Sequence, residues 1–215
     1  MITFYYASGS PFAWRAWLAL EYKSLPYDLK SMSFSEGDLK TPEYLKINPR
    51  GKVPSIVDDG FSLYESAAIL EYLDDQHPDN GSPLFPGSSK NRAHIRRLIN
   101  EADHYLDQAN RKILLQILFT PKENWDGKQI VSGRQAVAAE LSNFENMFVG
   151  DYFAGELSAA DFTIYPMVAL VLRADQRKPD LDIASLIGPK MAAWMKRVES
   201  LPFFAKTYPP HWKPK

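Results

Sequence analysis

Ser10 and Pro11 lie where the first predicted strand, Ile2–Tyr6, gives way to a helix. Serine is a favoured N-cap and proline is favoured at the first helical position, so a helix is expected from Pro11 to about Lys23. The first turn of a helix has backbone N–H groups without intrahelical partners and carries the positive end of the helix dipole. The corner at Ser10 therefore favours an anion, although a serine that only caps its helix would give the same pattern.

Two later segments have the chemistry to hold a peptide-like ligand. Pro54 suggests a cis bond or a strand edge, and a cis Val53–Pro54 bond would expose the Val53 backbone to such a ligand. Glu65 and Ser66 begin another predicted helix, where free N–H groups and a hydroxyl suit a carboxylate and the Glu65 carboxylate suits an ammonium. Together this pair fits the zwitterionic head of an amino acid. An ordinary loop proline and an ordinary helix start are the alternatives.

The composition excludes several kinds of site. The 215 residues contain no cysteine, which excludes a disulfide scaffold, a zinc–thiolate site, an iron–sulfur cluster and a catalytic cysteine. The four histidines are scattered, so no metal site is expected. The formal net charge of −1 argues against nucleic-acid and acidic-membrane partners. Without a transmembrane run or a secretory leader, a cytoplasmic protein is expected.

The predicted elements change character near residue 80. Residues 1–79 give the order β-α-β-α-β-β-α, with a hairpin at Asp59-Gly60. Residues 80–89 read as a linker, and residues 90–215 read as almost wholly helical. The fold class predicted is therefore α+β, with one mixed domain followed by an all-helical domain.

Four helices are predicted within residues 90–215, one of them beginning at Ser158. Ile95, Leu98, Ile99, Ala102 and Leu106 mark an amphipathic helix that reaches about Leu118. A second helix is expected over residues 129–147 and a last one over residues 189–200. Ser158 and Asp161 have the spacing of a reciprocal N-cap, with Asp in the usual Glu or Gln position.

The order of these segments resembles that of the cytosolic glutathione transferases, in particular a serine-type, theta/zeta-like bacterial member. The segments that carry the resemblance are Ser10-Pro11-Phe12 with Arg15, Asn48–Pro54, Leu63–Ile69, Tyr72-Leu73 and, in the helical half, Leu157–Phe162. The resemblance implies a thioredoxin-like N-terminal domain, a helical C-terminal domain and a homodimer. It also implies glutathione as co-substrate, with no metal.

The resemblance assigns a role to each of the matching residues. Ser10 would donate a hydrogen bond to the glutathione sulfur. Val53, before a cis Pro54, would offer its backbone to the cysteinyl group. Glu65 and Ser66 would hold the γ-glutamyl head.

The remaining implied contacts concern the far end of the peptide and the second substrate. Lys52 would reach the peptide or its glycyl carboxylate. Leu39 stands where relatives often carry His or Gln, and only Lys40 could compensate. Phe12 is expected among the glutathione contacts and, with Tyr105, in a hydrophobic substrate pocket. The tail around His211-Trp212 could join that pocket or lie across the helical bundle.

Thiolate formation is the chemistry these residues would perform. A free thiol titrates near ~8.5, and hydrogen bonds to charged groups contribute roughly 1.5–3 kcal/mol, or about one to two pKa units. Ser10 would therefore keep its proton and stabilise the thiolate. Tyr5 or Tyr6 could donate instead, and strand alternation allows at most one of them to approach. Ser8 is expected to be a loop residue.

Three functions follow from this reading. The first is a glutathione transferase that adds the sulfur to a small hydrophobic electrophile. The second uses the same site for cis–trans isomerisation of an unsaturated diacid or for peroxide reduction. The third is a non-catalytic binding or regulatory module that kept the fold.

Overall fold

The computed structural model describes residues 1–212 and divides the chain into two compact units. The first unit contains Met1–Pro86 together with the chain from Leu201, and the second contains Gly87–Ser200. The expectation that residues 90–215 form a single helical domain is therefore wrong for the C-terminal segment, which packs with the first unit. No helix within residues 1–212 combines the length and the apolar character needed to cross a bilayer.

The first unit is built on a four-stranded mixed sheet and has a thioredoxin-like fold. Its elements are the strands β1 (Ile2–Tyr6), β2 (Tyr27–Ser31), β3 (Ser55–Asp58) and β4 (Phe61–Tyr64) and the helices α1 (Pro11–Tyr22), α2 (Pro42–Ile47) and α3 (Ser66–Gln76). The strand order is β2-β1-β3-β4. β1 runs parallel to β2 and antiparallel to β3, and β3 pairs antiparallel with β4. The predicted order β-α-β-α-β-β-α is confirmed.

Helix α1 explains why the C-terminal segment belongs to the first unit. Every residue from Ala13 to Leu20 is buried, and a helix that is apolar all round needs cover on more than one side. Trp14 donates from Nε1 to Thr207 Oγ1 at 3.0 Å. Its ring meets those of Tyr208 and Trp212 edge-on, with centroids 5.6 and 5.5 Å apart. The tail thus covers α1 rather than crossing the helical bundle.

A buried ion pair fixes the chain after α3. Lys23 Nζ lies 3.2 Å from Asp74 Oδ1, and both side chains are almost fully buried. The Asp74 carboxylate also accepts the backbone N–H groups of Leu84 and Phe85, at 2.7 and 3.2 Å. Because a buried carboxylate needs partners, these three donors together hold the first part of the predicted linker against the first unit.

The second unit is helical, as predicted. Its helices are α4 (Ser89–Glu101), α5 (Asp107–Phe119), α6 (Gly127–Glu145), α7 (Ala159–Leu172), α8 (Ala174–Arg177) and α9 (Pro189–Glu199), and the short α10 (Phe204–Thr207) follows in the C-terminal segment. A π-helical turn, Ala102–Leu106, joins α4 to α5. The predicted amphipathic helix is therefore present with one extra residue wound into it, and its five marker residues are all buried.

Candidate active site

Ser10 caps α1 with one of its lone pairs. The backbone N–H of Ala13 donates to Ser10 Oγ at 3.2 Å, and Pro11 occupies the first helical position, which confirms the predicted cap. A hydroxyl carries one proton and two lone pairs. The cap uses only an acceptor position, so the Ser10 proton remains able to donate to an anion at the positive end of the helix.

A small cavity adjoins the Ser10 hydroxyl. Its volume is about 10 Å³, and Ser8, Tyr6, Thr207 and Pro209 are among its walls. That volume holds about one water-sized group. The corner can therefore admit a single reacting atom, while the body of any ligand must lie outside it.

The two tyrosines of β1 lie in different surroundings, as strand alternation requires. Tyr6 is 8% exposed, packs on Trp17 at a centroid distance of 4.7 Å and lines the small cavity. Tyr5 instead packs on Tyr44, with ring centroids 5.6 Å apart. Tyr6 is thus the tyrosine that shares a cavity with Ser10.

The loop before β3 is held by side chains from α2 and from the residue that follows it. Tyr44 donates from Oη to the Lys52 carbonyl at 2.5 Å, and Asn48 donates from Nδ2 to the same oxygen at 2.7 Å. Burial raises the pKa of Tyr44, which keeps this donor protonated. The Val53–Pro54 bond is cis, and Val53 precedes the paired residues of β3. Its backbone therefore lies outside the sheet ladder, in an anchored loop.

Lys40 lies close to this same loop. A Cβ built at Gly51 would fall 2.9 Å from Lys40 Nζ and 2.7 Å from the Leu39 carbonyl oxygen, and Gly51 has φ +58°. Only glycine suits that backbone and that close approach. The Lys40 ammonium therefore lies beside Gly51, the residue before the exposed Lys52. There it can supply the positive charge that Leu39 lacks.

Glu65 and Ser66 form the start of α3 in an unusual backbone conformation. Glu65 has φ 69° and ψ 106° and makes no side-chain cap bond, and its side chain is exposed. Such backbone strain in a residue other than glycine is often associated with ligand sites. Ser66 is 4% exposed. The exposed carboxylate and the buried hydroxyl thus lie together at the N-terminus of an eleven-residue helix.

Arg15 joins the two helix starts. It is 2% exposed, donates from Nη2 to Ser66 Oγ and lies over the Phe12 ring at 5.2 Å from the centroid. Because the guanidinium occupies an acceptor position of Ser66, the Ser66 proton remains able to donate. Sequence reasoning included Arg15 in the matching motif without giving it a role. Its signal was a single cation among the apolar residues of α1.

The structure brings most of the predicted site residues into one unit. Ser10, Phe12, Lys52, Val53, Pro54, Glu65 and Ser66 all belong to the first unit. Tyr105 belongs to the second unit, on the π-helical turn, where it is 61% exposed. The place of Tyr105 in a substrate pocket stays a prediction.

Comparison with known proteins identifies the family. The sequence profile of the glutathione S-transferase N-terminal domain matches residues 4–81. Glutathione S-transferase A of Pleuronectes platessa is 27% identical over 216 residues, covering 98% of this chain and 92% of that protein. Probable maleylacetoacetate isomerase 2 of Drosophila melanogaster is 32% identical over 160 residues, covering 73% of this chain and 68% of that protein.

A solved structure agrees over nearly the whole chain. The crystal structure of a glutathione S-transferase from the Antarctic clam Laternula elliptica superimposes with a TM-score of 0.82 at 30% identity, covering 98% of this chain and 93% of that one. The fold described above is thus that of a known enzyme family. The chain belongs to the cytosolic glutathione S-transferase family and is an enzyme of that family.

Proposed function

We propose that this enzyme binds glutathione on its first unit, holds the sulfur as a thiolate at Ser10 and adds it to a small hydrophobic electrophile. The observation that carries the proposal is the spare proton of Ser10, which caps α1 as an acceptor beside a cavity of one-atom size. A thiolate that accepts this proton also meets the positive end of α1.

The expected size of the effect is sufficient for catalysis at neutral pH. A hydrogen bond to a charged group contributes roughly 1.5–3 kcal/mol, which lowers a thiol pKa from ~8.5 by about one to two units. Bound glutathione would then be largely ionised, and the thiolate is the nucleophile. Ser10 keeps its proton throughout, and the thiol proton passes to solvent. The thiolate then forms the sulfur–carbon bond directly, and the electrophile either releases its leaving group, such as chloride from chlorodinitrobenzene, or takes up a proton from solvent.

The peptide part of glutathione has a partner for each of its polar groups. Glu65 faces the γ-glutamyl ammonium, and Ser66, with the first N–H groups of α3, receives the γ-glutamyl carboxylate. Val53 offers its backbone, next to Pro54, to the cysteinyl group. The anchored Lys52 carbonyl supports this assignment, because its two hydrogen bonds hold the loop in place before any ligand arrives.

The outer contacts complete the proposed site. Lys52 and Lys40 together provide positive charge for the glycyl carboxylate, and Phe12 contributes apolar surface. Phe12 would also line the pocket for the electrophile. We include in this proposal a homodimer, whose mass light scattering would give.

A second candidate function is the cis–trans isomerisation of an unsaturated diacid. It is favoured by the relatives named probable maleylacetoacetate isomerase. Comparing turnover of a neutral chlorodinitrobenzene with that of a maleyl diacid distinguishes the two reactions.

The decisive experiment measures ionisation of bound glutathione by the ultraviolet absorbance of the thiolate as pH is varied. In Ser10→Ala the thiol pKa should rise by about one to two units, and turnover should fall about 8- to 25-fold at neutral pH, as the thiolate fraction does. Affinity measured by calorimetry should change little, because the peptide contacts remain.

Tyrosine variants provide the comparison. Tyr6→Phe tests the tyrosine that lines the cavity, and Tyr5→Phe is its matched control on the other side of the strand. Neither should move the thiol pKa. If turnover survives Ser10→Ala and collapses in Tyr6→Phe, Ser10 is the wrong donor; if the wild-type enzyme ignores glutathione, the proposed function fails.

A further inference from the structure

Ser8 lies between two spaces of very different size. It lines the small cavity that Ser10 also lines, and it lines the wide groove beside His211. Both spaces therefore have Ser8 in their walls. A sulfur that enters the cavity from the groove would pass within reach of the Ser8 hydroxyl.

His211 holds Ser8 in this position. Ser8 Oγ and His211 Nδ1 are 2.9 Å apart, at hydrogen-bond distance. A Cβ built at Gly9 would lie 3.0 Å from His211 Cε1, and Gly9 has φ +88°. A side chain at residue 9 would therefore displace the imidazole, and glycine permits the contact.

The C-terminal segment brings His211 to this place from the far end of the chain. Its neighbour Trp212 is 7% exposed and packs edge-on against Trp14. Thr207 accepts a hydrogen bond from the same Trp14 indole. Because both contacts are buried, the backbone that carries His211 is fixed on the first unit.

The hydrogen-bond capacity of a hydroxyl gives the pair a function. When His211 Nδ1 carries a proton it donates to Ser8 Oγ, and the single Ser8 proton must then point elsewhere. The small cavity is the adjoining space in which an anion would accept it. Ser8 and Ser10 would thus present two O–H donors to one atom.

We propose that Ser8 is a second hydroxyl donor to the glutathione sulfur and that His211 is the positioning residue that directs the Ser8 proton toward it. The inference rests on the proposed function, since it requires a thiolate at Ser10. The charged groups that line the groove with His211 are Glu36 and Asp38. With a proton on Nδ1, His211 donates to Ser8, so the pair strengthens thiolate binding.

The test compares the thiol pKa of bound glutathione in matched variants. Ser8→Ala removes the donor, and His211→Phe keeps a ring against Gly9 but cannot donate. Each should raise the thiol pKa enough to leave about tenfold less thiolate at a fixed pH. The double variant should lose about the same tenfold rather than a hundredfold, because the two residues act as one unit.

Two further variants separate positioning from structure. His211→Asn restores a donor close to the place of Nδ1 and should recover most of the thiolate. Ser31→Ala removes another serine of the same groove and should leave the thiol pKa unchanged. A merely structural role for His211 would lower stability in His211→Asn as in His211→Phe and would not move the pH profile.

The outcomes also distinguish a failure of the Ser8–His211 inference from a failure of the proposed glutathione transferase function. A wild-type enzyme with ionised glutathione, sensitive to Ser10→Ala but indifferent to Ser8→Ala, overturns the role of Ser8 alone. Additive losses in the double variant overturn the role of His211. A wild-type enzyme that binds no glutathione, or binds it without ionising the thiol, overturns the proposed function itself.

Discussion

Two of the serines that cap helices in the described residues, Ser10 and Ser158, differ in what their hydroxyl protons do. Ser10 begins α1 and accepts one backbone hydrogen bond. Ser158 begins α7, is fully buried, and donates both its N–H and its hydroxyl to Asp161 Oδ2, at 2.9 and 3.0 Å. The predicted reciprocal N-cap of Ser158 is therefore present and complete.

The two caps also differ in their surroundings: Ser158 lies in a closed hydrogen-bond network and Ser10 lies next to a cavity. Asp161 Oδ1 accepts the Phe153 N–H at 3.3 Å and the Trp194 indole at 2.9 Å, so the carboxylate takes four hydrogen bonds in all. Ser10 faces a cavity instead. The comparison teaches that a capping residue becomes a candidate for chemistry when a donor remains unused next to open space, whereas a satisfied cap serves the fold.

The largest expected effect is the pH dependence of the unfolding free energy that comes from Asp161, the capping partner of Ser158. Burial raises the pKa of Asp161 to about 6 from its ordinary value of 3.8. The folded protein then binds this proton more tightly than the unfolded chain. The stabilisation of the fold by this bound proton is therefore fully present below pH 3.8 and is lost as pH rises through about 6. Denaturant unfolding should show the wild type losing up to about 3 kcal/mol relative to Asp161→Asn across this window.

The next effect is the cost of Asp161→Asn at neutral pH. The asparagine NH₂ would face N–H and O–H donors that now meet a carboxylate, so we expect a loss of about 2 kcal/mol of unfolding free energy. Thermal or denaturant unfolding measures this loss. Asp151→Asn is the control, since that exposed side chain makes only a 3.6 Å ion pair with Arg197 and should cost under ~1 kcal/mol. Equal losses in both variants would contradict the structural role of Asp161.

The smallest effect on stability is expected when glycine replaces either of the two capping serines. Glycine replaces serine at an N-cap at a cost of only a few tenths of a kcal/mol. Ser10→Gly should therefore keep the stability of the protein and lose at least about tenfold of its bound thiolate. Ser158→Gly should do the reverse, losing about 1 kcal/mol with the buried bond to Asp161 and leaving the thiolate intact. If Ser10→Gly and Ser158→Gly changed stability and bound thiolate in the same way, the two caps would not differ in role.

Helix and turn boundaries could be predicted because their signals lie in adjacent residues. Ser10-Pro11, Asp59-Gly60 and the Ser158–Asp161 spacing each encode local backbone geometry, and each lies where expected. The chain order of strands and helices followed from the same kind of signal. The residues proposed to meet glutathione were drawn from a resemblance and remain a proposal.

Contacts made by distant parts of the chain could not be read in this way. The Arg15–Ser66 bond and the Ser8–His211 bond join residues 51 and 203 positions apart, and no local pattern encodes such pairs. The return of the C-terminal segment to the first unit had one indirect signal. The apolar residues of α1 surround the helix, so they require more cover than one sheet supplies.

That return has a consequence for how the protein is made on the ribosome. Trp14 donates a hydrogen bond to Thr207, 193 positions later, so the thioredoxin-like unit is interrupted by the entire helical one. Synthesis proceeds from the N-terminus, and the early half must wait, with one flank of its first helix bare, until residues 201–212 emerge. Those residues therefore complete the oldest part of the nascent chain.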